Sequence, residues 1–184
     1  MIGKRTRARE IALQALFCGD LIEGLPADTA REVVGHAEAH PEIKAFAEEL
    51  SLGVLSRLGE VDRHIMAAAD NWDIKRLAVV DRNVLRLAVF EMLGREDIPA
   101  RVSINEAIEL SKRFSTAQSG GFVNGILDRV RRDLGLLEEG EGEEEGHDEP
   151  LIESEQAPTD FAPQGEPCTN HVQSDDAPDD EKAT

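Results

Sequence analysis

The chain has 184 residues and a formal net charge of -18 at pH 7, with 38 Asp and Glu residues against 20 Lys and Arg. This length predicts one domain with an additional segment, and the two cysteines, Cys18 and Cys168, offer neither a disulfide framework nor a paired metal site. Because no apolar run is long enough to span a membrane or to act as a signal peptide, we expect a cytoplasmic protein without membrane contacts.

The first predicted helix begins near Thr6 and ends near residues 24–26, because apolar residues recur along it every three or four positions. That apolar stripe consists of Leu13, Leu16, Phe17 and Leu21. The helix starts with the run KRTRARE, which contains four cations: Lys4, Arg5, Arg7 and Arg9. Cations at a helix start oppose the helix dipole by roughly a few tenths of a kcal/mol, and this small cost indicates a use for them.

Three further helices are predicted before residue 71. A short helix covers about residues 28–39. A longer one covers residues 41–58 and begins at Pro41, since proline suits the first helical position. A weaker apolar pattern covers residues 61–68.

The next elements begin with Asp73, which is predicted to cap a short turn. Residues 80–93 have almost no polar face, which predicts a buried central helix. Ser103 and Glu106 fit a capping box that opens the following helix. The inward residues of that helix are predicted to be Ile104, Ala107, Ile108, Ser111 and Phe114. A polar loop over residues 115–121 then leads into a last helix that starts at Phe122.

The acidity of the chain belongs to its last segment. Residues 135–184 contain 17 Asp or Glu against one Lys, whereas residues 1–134 carry a net charge of only -2. Ordering a residue costs roughly 1 to 2 kcal/mol of backbone entropy, and this segment has too few apolar residues to offset that cost. We therefore predict an all-α bundle followed by a disordered acidic tail. The tail either keeps the chain soluble or folds back on the basic end and competes with an anionic ligand.

A catalytic or metal site is not indicated. His36 and His40 stand in HAEAH rather than HExxH, and Pro41 disfavours helical geometry at His40. No glycine-rich nucleotide loop and no pairing of a nucleophile with a base are recognisable. We expect a protein that is not an enzyme and that needs no metal or cofactor.

Two segments indicate binding of nucleic acid instead. The cations of KRTRARE are suited to neutralising phosphates, and the alternative is a solvated helix start, which the helix dipole disfavours. In the loop, Gln118 and Ser119 offer hydrogen bonds to base edges, the glycines permit close backbone approach, and Phe122 offers a stacking face. The alternative is an ordinary interhelical loop in which Phe122 belongs to the core.

Three segments stand out by their order and spacing: RAREIALQALF (residues 7–17), NWDIKRLAVVDRNVLRLAVFEML (71–93) and IPARVSINEAIELSKRFSTAQSGGFVNGILDRV (98–130). In these residues the chain resembles the transcription antitermination factor NusB family. The resemblance covers residues 3–134 and leaves the acidic tail outside.

The resemblance implies two small helical subdomains, residues 1–71 with the arginine motif and residues 72–134, followed by the tail at 135–184. It implies an RNA-binding antitermination factor that pairs with the small-subunit ribosomal protein also known as Nus factor E. In the family, this pair recognises the single-stranded boxA element of nascent ribosomal RNA within the RNA polymerase antitermination complex.

Carried onto this chain, the resemblance assigns an RNA face and places the protein partner near Asp81. The RNA face comprises Lys4, Arg5, Arg7, Arg9, Phe17, Gln118, Ser119, Phe122 and Asn124. Two positions depart from the family pattern, since many relatives carry an acidic residue in place of Gln118 and Lys in place of Gly121. The first change removes repulsion toward phosphate and the second removes attraction.

Two other interpretations remain open from the sequence. A related helical domain precedes the catalytic domain of certain ribosomal RNA cytosine methyltransferases, but the required α/β domain is not present after residue 135. A helical protein-interaction module that never touches RNA is the other alternative.

Overall fold

A computed structural model describes residues 3–22, 26–70 and 73–136. Within them the chain forms seven α-helices and one short 3-10 turn. The helices are α1 (Lys4–Leu21), α2 (Pro26–His36), α3 (Pro41–Ser56), α4 (Leu58–Ala68), α5 (Val79–Gly94), α6 (Ala100–Phe114) and α7 (Ser119–Asp133), with the 3-10 turn at Ile74–Arg76 between α4 and α5. The predicted all-α fold is confirmed.

Helix α5 is the centre of the bundle. Every residue from Asn83 to Met92 is buried, and α1, α3, α4, α6 and α7 all pack against this helix. This confirms the central helix predicted from the absence of a polar face. Because α5 is surrounded, its few polar side chains must find partners on other helices.

The first three helices pack mutually, and α3 approaches α5 closely at Gly53. A Cβ atom at Gly53 would lie 2.1 Å from Cζ of Phe90. Only glycine lets the Phe90 ring rest on the α3 backbone. Helix α4 packs against α5 and α7. A boundary between two subdomains after residue 71 stays a prediction.

Two predicted helix starts are corrected and two are confirmed. Helix α6 begins at Ala100, a turn before the predicted capping box, because the Val102 and Ser103 amides already bond to the Pro99 carbonyl. The Ser103 hydroxyl instead donates to Glu91 Oε2 at 2.6 Å. Helix α7 likewise begins three residues before Phe122. The predicted starts that hold are Pro41 for α3 and Asp73, whose carboxylate accepts from the Lys75 amide at 2.9 Å.

The last described residues form a tight helix stop. Gly135 has a φ of +67°, and the amides of Gly135 and Leu136 bond back to the carbonyls of Arg132 and Arg131. This is the hydrogen-bond pattern of a Schellman motif, in which glycine accepts the left-handed conformation without strain. The predictions for the acidic tail beyond Leu136 lie outside the described residues, as do those for residues 23–25 and 71–72. Among the described helices, none combines the length and apolarity that a membrane span requires.

Candidate nucleic-acid interface

Three of the four predicted cations at the start of α1 are exposed, and each meets a carboxylate. Lys4 Nζ lies 3.0 Å from Glu42 Oε2, and Arg5 Nη2 lies 3.2 Å from Asp97 Oδ2. The hydrogen bond from Lys4 lowers the pKa of the Glu42 carboxyl below its ordinary value. Exposed pairs of this kind are screened by solvent and contribute little stability, so a phosphate can replace the carboxylate at small cost.

Arg9 differs from its neighbours because its side chain is only 4% exposed. Its Nε and Nη2 donate to the two carboxylate oxygens of Glu91 at 2.8 and 3.2 Å, and Nη1 lies 3.4 Å from Glu106 Oε2. Little of the Arg9 side chain is therefore available to a ligand, and its contact with RNA stays a prediction. Helix periodicity turns this residue toward α5, where the guanidinium joins α1 to α5 and α6.

Arg5 extends the cationic surface toward the end of α5. The guanidinium carbons of Arg5 and Arg95 lie 5.5 and 5.2 Å from the centre of the Phe46 ring. Asp97 accepts from both arginines, and the hydrogen bond from Arg95, together with the charges of Arg95 and Arg5, lowers the pKa of Asp97. The cations are thus arranged around one aromatic ring rather than dispersed in solvent.

An apolar groove of about 270 Å³ lies beside Arg7. Its lining consists of Arg7, Glu10, Leu13, Gln14, Phe17, Val80 and Phe114. Phe114 was predicted to point inward, but it is 44% exposed. As the last residue of α6, it lies at the rim of the bundle, and it brings an aromatic face to the same groove as Phe17.

Glu10 anchors two arginines at this groove. Its carboxylate is only 3% exposed, and it accepts from Nη1 of Arg7 at 2.8 Å and from Nη1 of Arg113. The two guanidiniums remain 45% and 50% exposed. The guanidinium carbon of Arg113 also lies 5.1 Å from the centre of the Phe114 ring. A buried carboxylate therefore orients two cations that face solvent.

Ser119 and Asp81 form a buried hydrogen-bonded pair at the end of the loop that precedes α7. The Ser119 hydroxyl donates to Asp81 Oδ2 at 2.9 Å and accepts from the Thr116 amide at 3.2 Å. Both residues are buried. These groups hold the loop in place, and the predictions that Ser119 contacts RNA and that the protein partner lies near Asp81 stay predictions.

The remaining predicted residues lie at the start of α7. Gln118 is exposed at the N-cap of the helix, Phe122 is 42% exposed, and Asn124 is partly buried. Phe122 is therefore not a core residue. An added Cβ at Gly121 would meet nothing within 4 Å, so packing does not demand glycine there.

The groove lies between α1 and residues that adjoin the loop. Phe114, which lines the groove with Arg7 and Phe17, directly precedes the loop. Val80 lines it as well and is the neighbour of Asp81, which bonds to Ser119. The structure thus brings α1 close to residues on either side of the loop's attachment, although no residue of the loop itself lines the groove.

Sequence analysis missed Glu10, Arg113 and Phe114. The run Lys112-Arg113-Phe114, a pair of cations followed by an aromatic residue immediately before a polar loop, was the signal that pointed to the latter two. Nothing local marks Glu10, because its role depends on Arg113, which is 103 positions away in the sequence.

The fold and this surface define an all-helical protein that offers cations and aromatic rings to a ligand. The NusB family model matches residues 6–132, and the chain belongs to the NusB family. It is 47% identical over 142 residues to the transcription antitermination protein NusB of Anaeromyxobacter dehalogenans, covering 77% of this chain and 99% of that protein. The identity to the NusB of Desulfatibacillum aliphaticivorans is 43% over 140 residues, with 76% and 98% covered.

Solved structures agree with this membership. T. maritima NusB superposes with a TM-score of 0.66 at 38% identity, covering 72% of this chain and 94% of that one. A second solved chain belongs to a crystal structure of antitermination factors NusB and NusE in complex with dsRNA. It superposes with a TM-score of 0.62 at 29% identity, covering 72% of this chain and 99% of that one.

Proposed function

We propose that this protein is an RNA-binding transcription antitermination factor of the cytoplasm, and that it works without catalysis. With the ribosomal protein that serves as Nus factor E, it recognises boxA-type single-stranded RNA in nascent ribosomal RNA transcripts. The pair then acts within the RNA polymerase antitermination complex. Family membership supports the general role, and the solved complex of NusB and NusE with dsRNA supports RNA and NusE as ligands.

One observation on this chain carries the proposal. Arg7 lines a groove with two aromatic walls, Phe17 and Phe114, and the exposed cations Lys4 and Arg5 precede it on the same helix. Cations neutralise phosphates irrespective of sequence, while exposed aromatic rings and amides discriminate unpaired bases. Both requirements for reading a single strand are met on one surface.

Nus factor E is assigned to the surface around the start of α5. Asp81 lies in the first turn of that helix, with its carboxylate turned inward to Ser119. In this assignment Asp81 contributes indirectly, because it fixes the loop between the protein partner and the RNA strand. The exposed neighbour Ala78 offers the direct contact.

The proposal is tested by replacing Lys4, Arg5 and Arg7 with Gln and measuring affinity for boxA RNA over a range of salt, with and without Nus factor E. The logarithm of the affinity falls with the logarithm of the salt concentration, and each phosphate contact on a single strand contributes about 0.7 to that slope. Loss of three contacts is therefore expected to reduce the slope by up to about 2.

A matched control replaces three exposed arginines on other helices, Arg31, Arg63 and Arg129, and thereby changes the net charge by the same amount. Its slope should stay within the error of the unmodified protein. If both variants lower the slope equally, the cations act only through the overall charge. If the unmodified protein and Nus factor E form no salt-sensitive complex with boxA RNA, the proposed function is wrong.

A further inference from the structure

We propose that Arg7, Arg113 and the groove lined by Arg7, Phe17 and Phe114 form a subsite for one nucleotide. In this subsite the two guanidiniums grip a single phosphate and an unpaired base lies against Phe114 and Phe17. The proposal deepens the proposed function and rests on it. It assigns Arg113 and Phe114 to RNA binding and makes Glu10 the residue that positions both cations.

The first support is the geometry of the cations. One carboxylate receives Nη1 of both arginines, so the two guanidiniums converge from α1 and α6 on a common point. Each guanidinium has five N–H donors in a planar fork, and the bond to Glu10 occupies one nitrogen of each. Both side chains are about half exposed, and a phosphate that bridges them replaces no existing ion pair.

The second support is the burial of Glu10. A carboxylate taken out of water costs several kcal/mol unless it is paired, and two pairing cations are more than neutrality requires. The group of three side chains carries a net charge of +1, with its negative member inside and its positive members outside. This charge distribution favours an anion at the surface.

The third support is the aromatic wall. Phe114 is the last residue of α6 and keeps 44% of its surface exposed next to a groove that also contains Phe17. An exposed phenyl ring beside two cations suits a nucleotide, because base stacking accepts any of the four bases while the cations hold the backbone. An acidic peptide would use the cations and leave the ring without a planar partner.

The subsite also bears on the departure at position 121. Here a small uncharged Gly121 stands in open surface, whereas Arg113 at the other end of the same loop carries a charge. The cation that this chain offers next to the loop therefore comes from α6.

The test uses the full chain with Nus factor E and a boxA RNA that carries 2-aminopurine at one position at a time. Arg7→Gln and Arg113→Gln are each expected to lower the salt slope by less than about 0.7, and the double variant by about 0.7 in total, since both residues share one phosphate. A double variant that lowers the slope by about 1.4 means two separate phosphates and overturns the grip on a single one.

Phe114→Leu is expected to weaken binding roughly tenfold and to abolish the quenching of 2-aminopurine at one position of the RNA. Leucine keeps apolar bulk at an exposed site, so folding is preserved, and circular dichroism checks this. Arg129→Gln is the matched control for Arg113→Gln, because Arg129 is 45% exposed and pairs with Asp70 away from the groove.

The outcomes separate this proposal from the function on which it rests. If Lys4 and Arg5 variants weaken RNA binding while Arg113→Gln and Phe114→Leu leave affinity, slope and quenching unchanged, the subsite is wrong and the function stands. If the Arg113 and Phe114 variants weaken binding of Nus factor E in the absence of RNA, the groove belongs to the protein partner and the subsite is likewise overturned.

Discussion

Arginine–carboxylate ion pairs lie near both ends of α1, but the more exposed partner differs. It is the arginine near the amino end and the carboxylate near the carboxyl end. At the amino end, Glu10 is 3% exposed, while its partners Arg7 and Arg113 are about half exposed. At the carboxyl end, Arg86 is 8% exposed and its partner Asp20 is 23% exposed. Only the first arrangement turns cations toward a ligand. The number of arginines in a region is therefore a poor guide to anion binding, since the direction of burial decides it.

At the carboxyl end of α1, hydrogen bonds around Asp20 and Arg86 form a structural joint between helices. Arg86 donates through Nε and Nη2 to Asp62 of α4, at 2.8 and 2.9 Å, and through Nη1 to Asp20 of α1 at 3.0 Å. Arg82 and Asn83 donate to Asp20 as well. Three helices are thereby fixed to one another, and the outward atoms of the joint are those of carboxylates.

The largest expected effect concerns Arg9, which lies at the amino end but is buried like Arg86. Arg9→Gln leaves the buried Glu91 carboxylate without its cation and should lower the free energy of unfolding by about 3 to 5 kcal/mol. Urea unfolding followed by circular dichroism measures this.

Arg7→Gln, two positions earlier on the same helix, is the matched control and should cost about 1 kcal/mol or less. In RNA binding the order reverses, and Arg7→Gln has the stronger effect in the salt slope. Equal stability losses in the two variants would remove the distinction between inward and outward arginines at this end.

A smaller effect is expected from Asp20 at the carboxyl end. Burial tends to raise the pKa of Asp20, but hydrogen bonds from Arg82 and Asn83 and the charges of Arg86 and Arg82 outweigh it and hold the pKa below the ordinary value of 3.8. A carboxyl group with a lowered folded-state pKa stabilises the protein above its unfolded-state pKa, and this contribution disappears as the pH falls through the folded-state value.

Asp20→Asn should therefore lower the free energy of unfolding by about 1 to 2 kcal/mol at neutral pH. The difference from the unmodified protein should shrink as the pH falls below 3.8, the ordinary pKa of this carboxyl group. Urea titrations at several pH values follow this difference. RNA affinity should not change, because neither Asp20 nor its arginine partners line the groove. A difference that stays constant down to the acid range would mean that the Asp20 charge does not contribute.

The smallest effect is expected from the acidic tail, which carries a charge of -16 and, by our hypothesis, screens only the exposed cations of the amino end. A chain that ends after Leu136 keeps the turn at Gly135 that closes α7. At low salt it should bind random RNA about threefold more tightly than the full chain, and the difference should vanish at high salt. If the shortened chain binds boxA RNA and random RNA with the same affinities as the full chain at low salt, the screening hypothesis is wrong.

Much of the helical framework was predictable from local sequence. The period of apolar residues located the helices, the missing polar face of residues 80–93 indicated the central one, and Pro41 and Asp73 marked their starts correctly. The capping box at Ser103 was a wrong prediction, because Ser103 and Glu106 bond to groups on other helices instead of to each other's amides. Contacts between helices, which exist only in the packed bundle, took the place of the local capping hydrogen bonds.

The sequence by itself determined the helices, the separation of the acidic segment from a nearly neutral body, and the family, because periodicity, composition and motif spacing are properties of neighbouring residues. Tertiary structure alone decided that Arg7 faces solvent while Arg9 is buried, and that Glu10 meets Arg113 and Ser119 meets Asp81. The partners of Arg9 and Glu10 lie 82 and 103 positions away. The environment of a charged side chain, and hence its availability to a phosphate, depends on such distant partners and is fixed only when the helices pack.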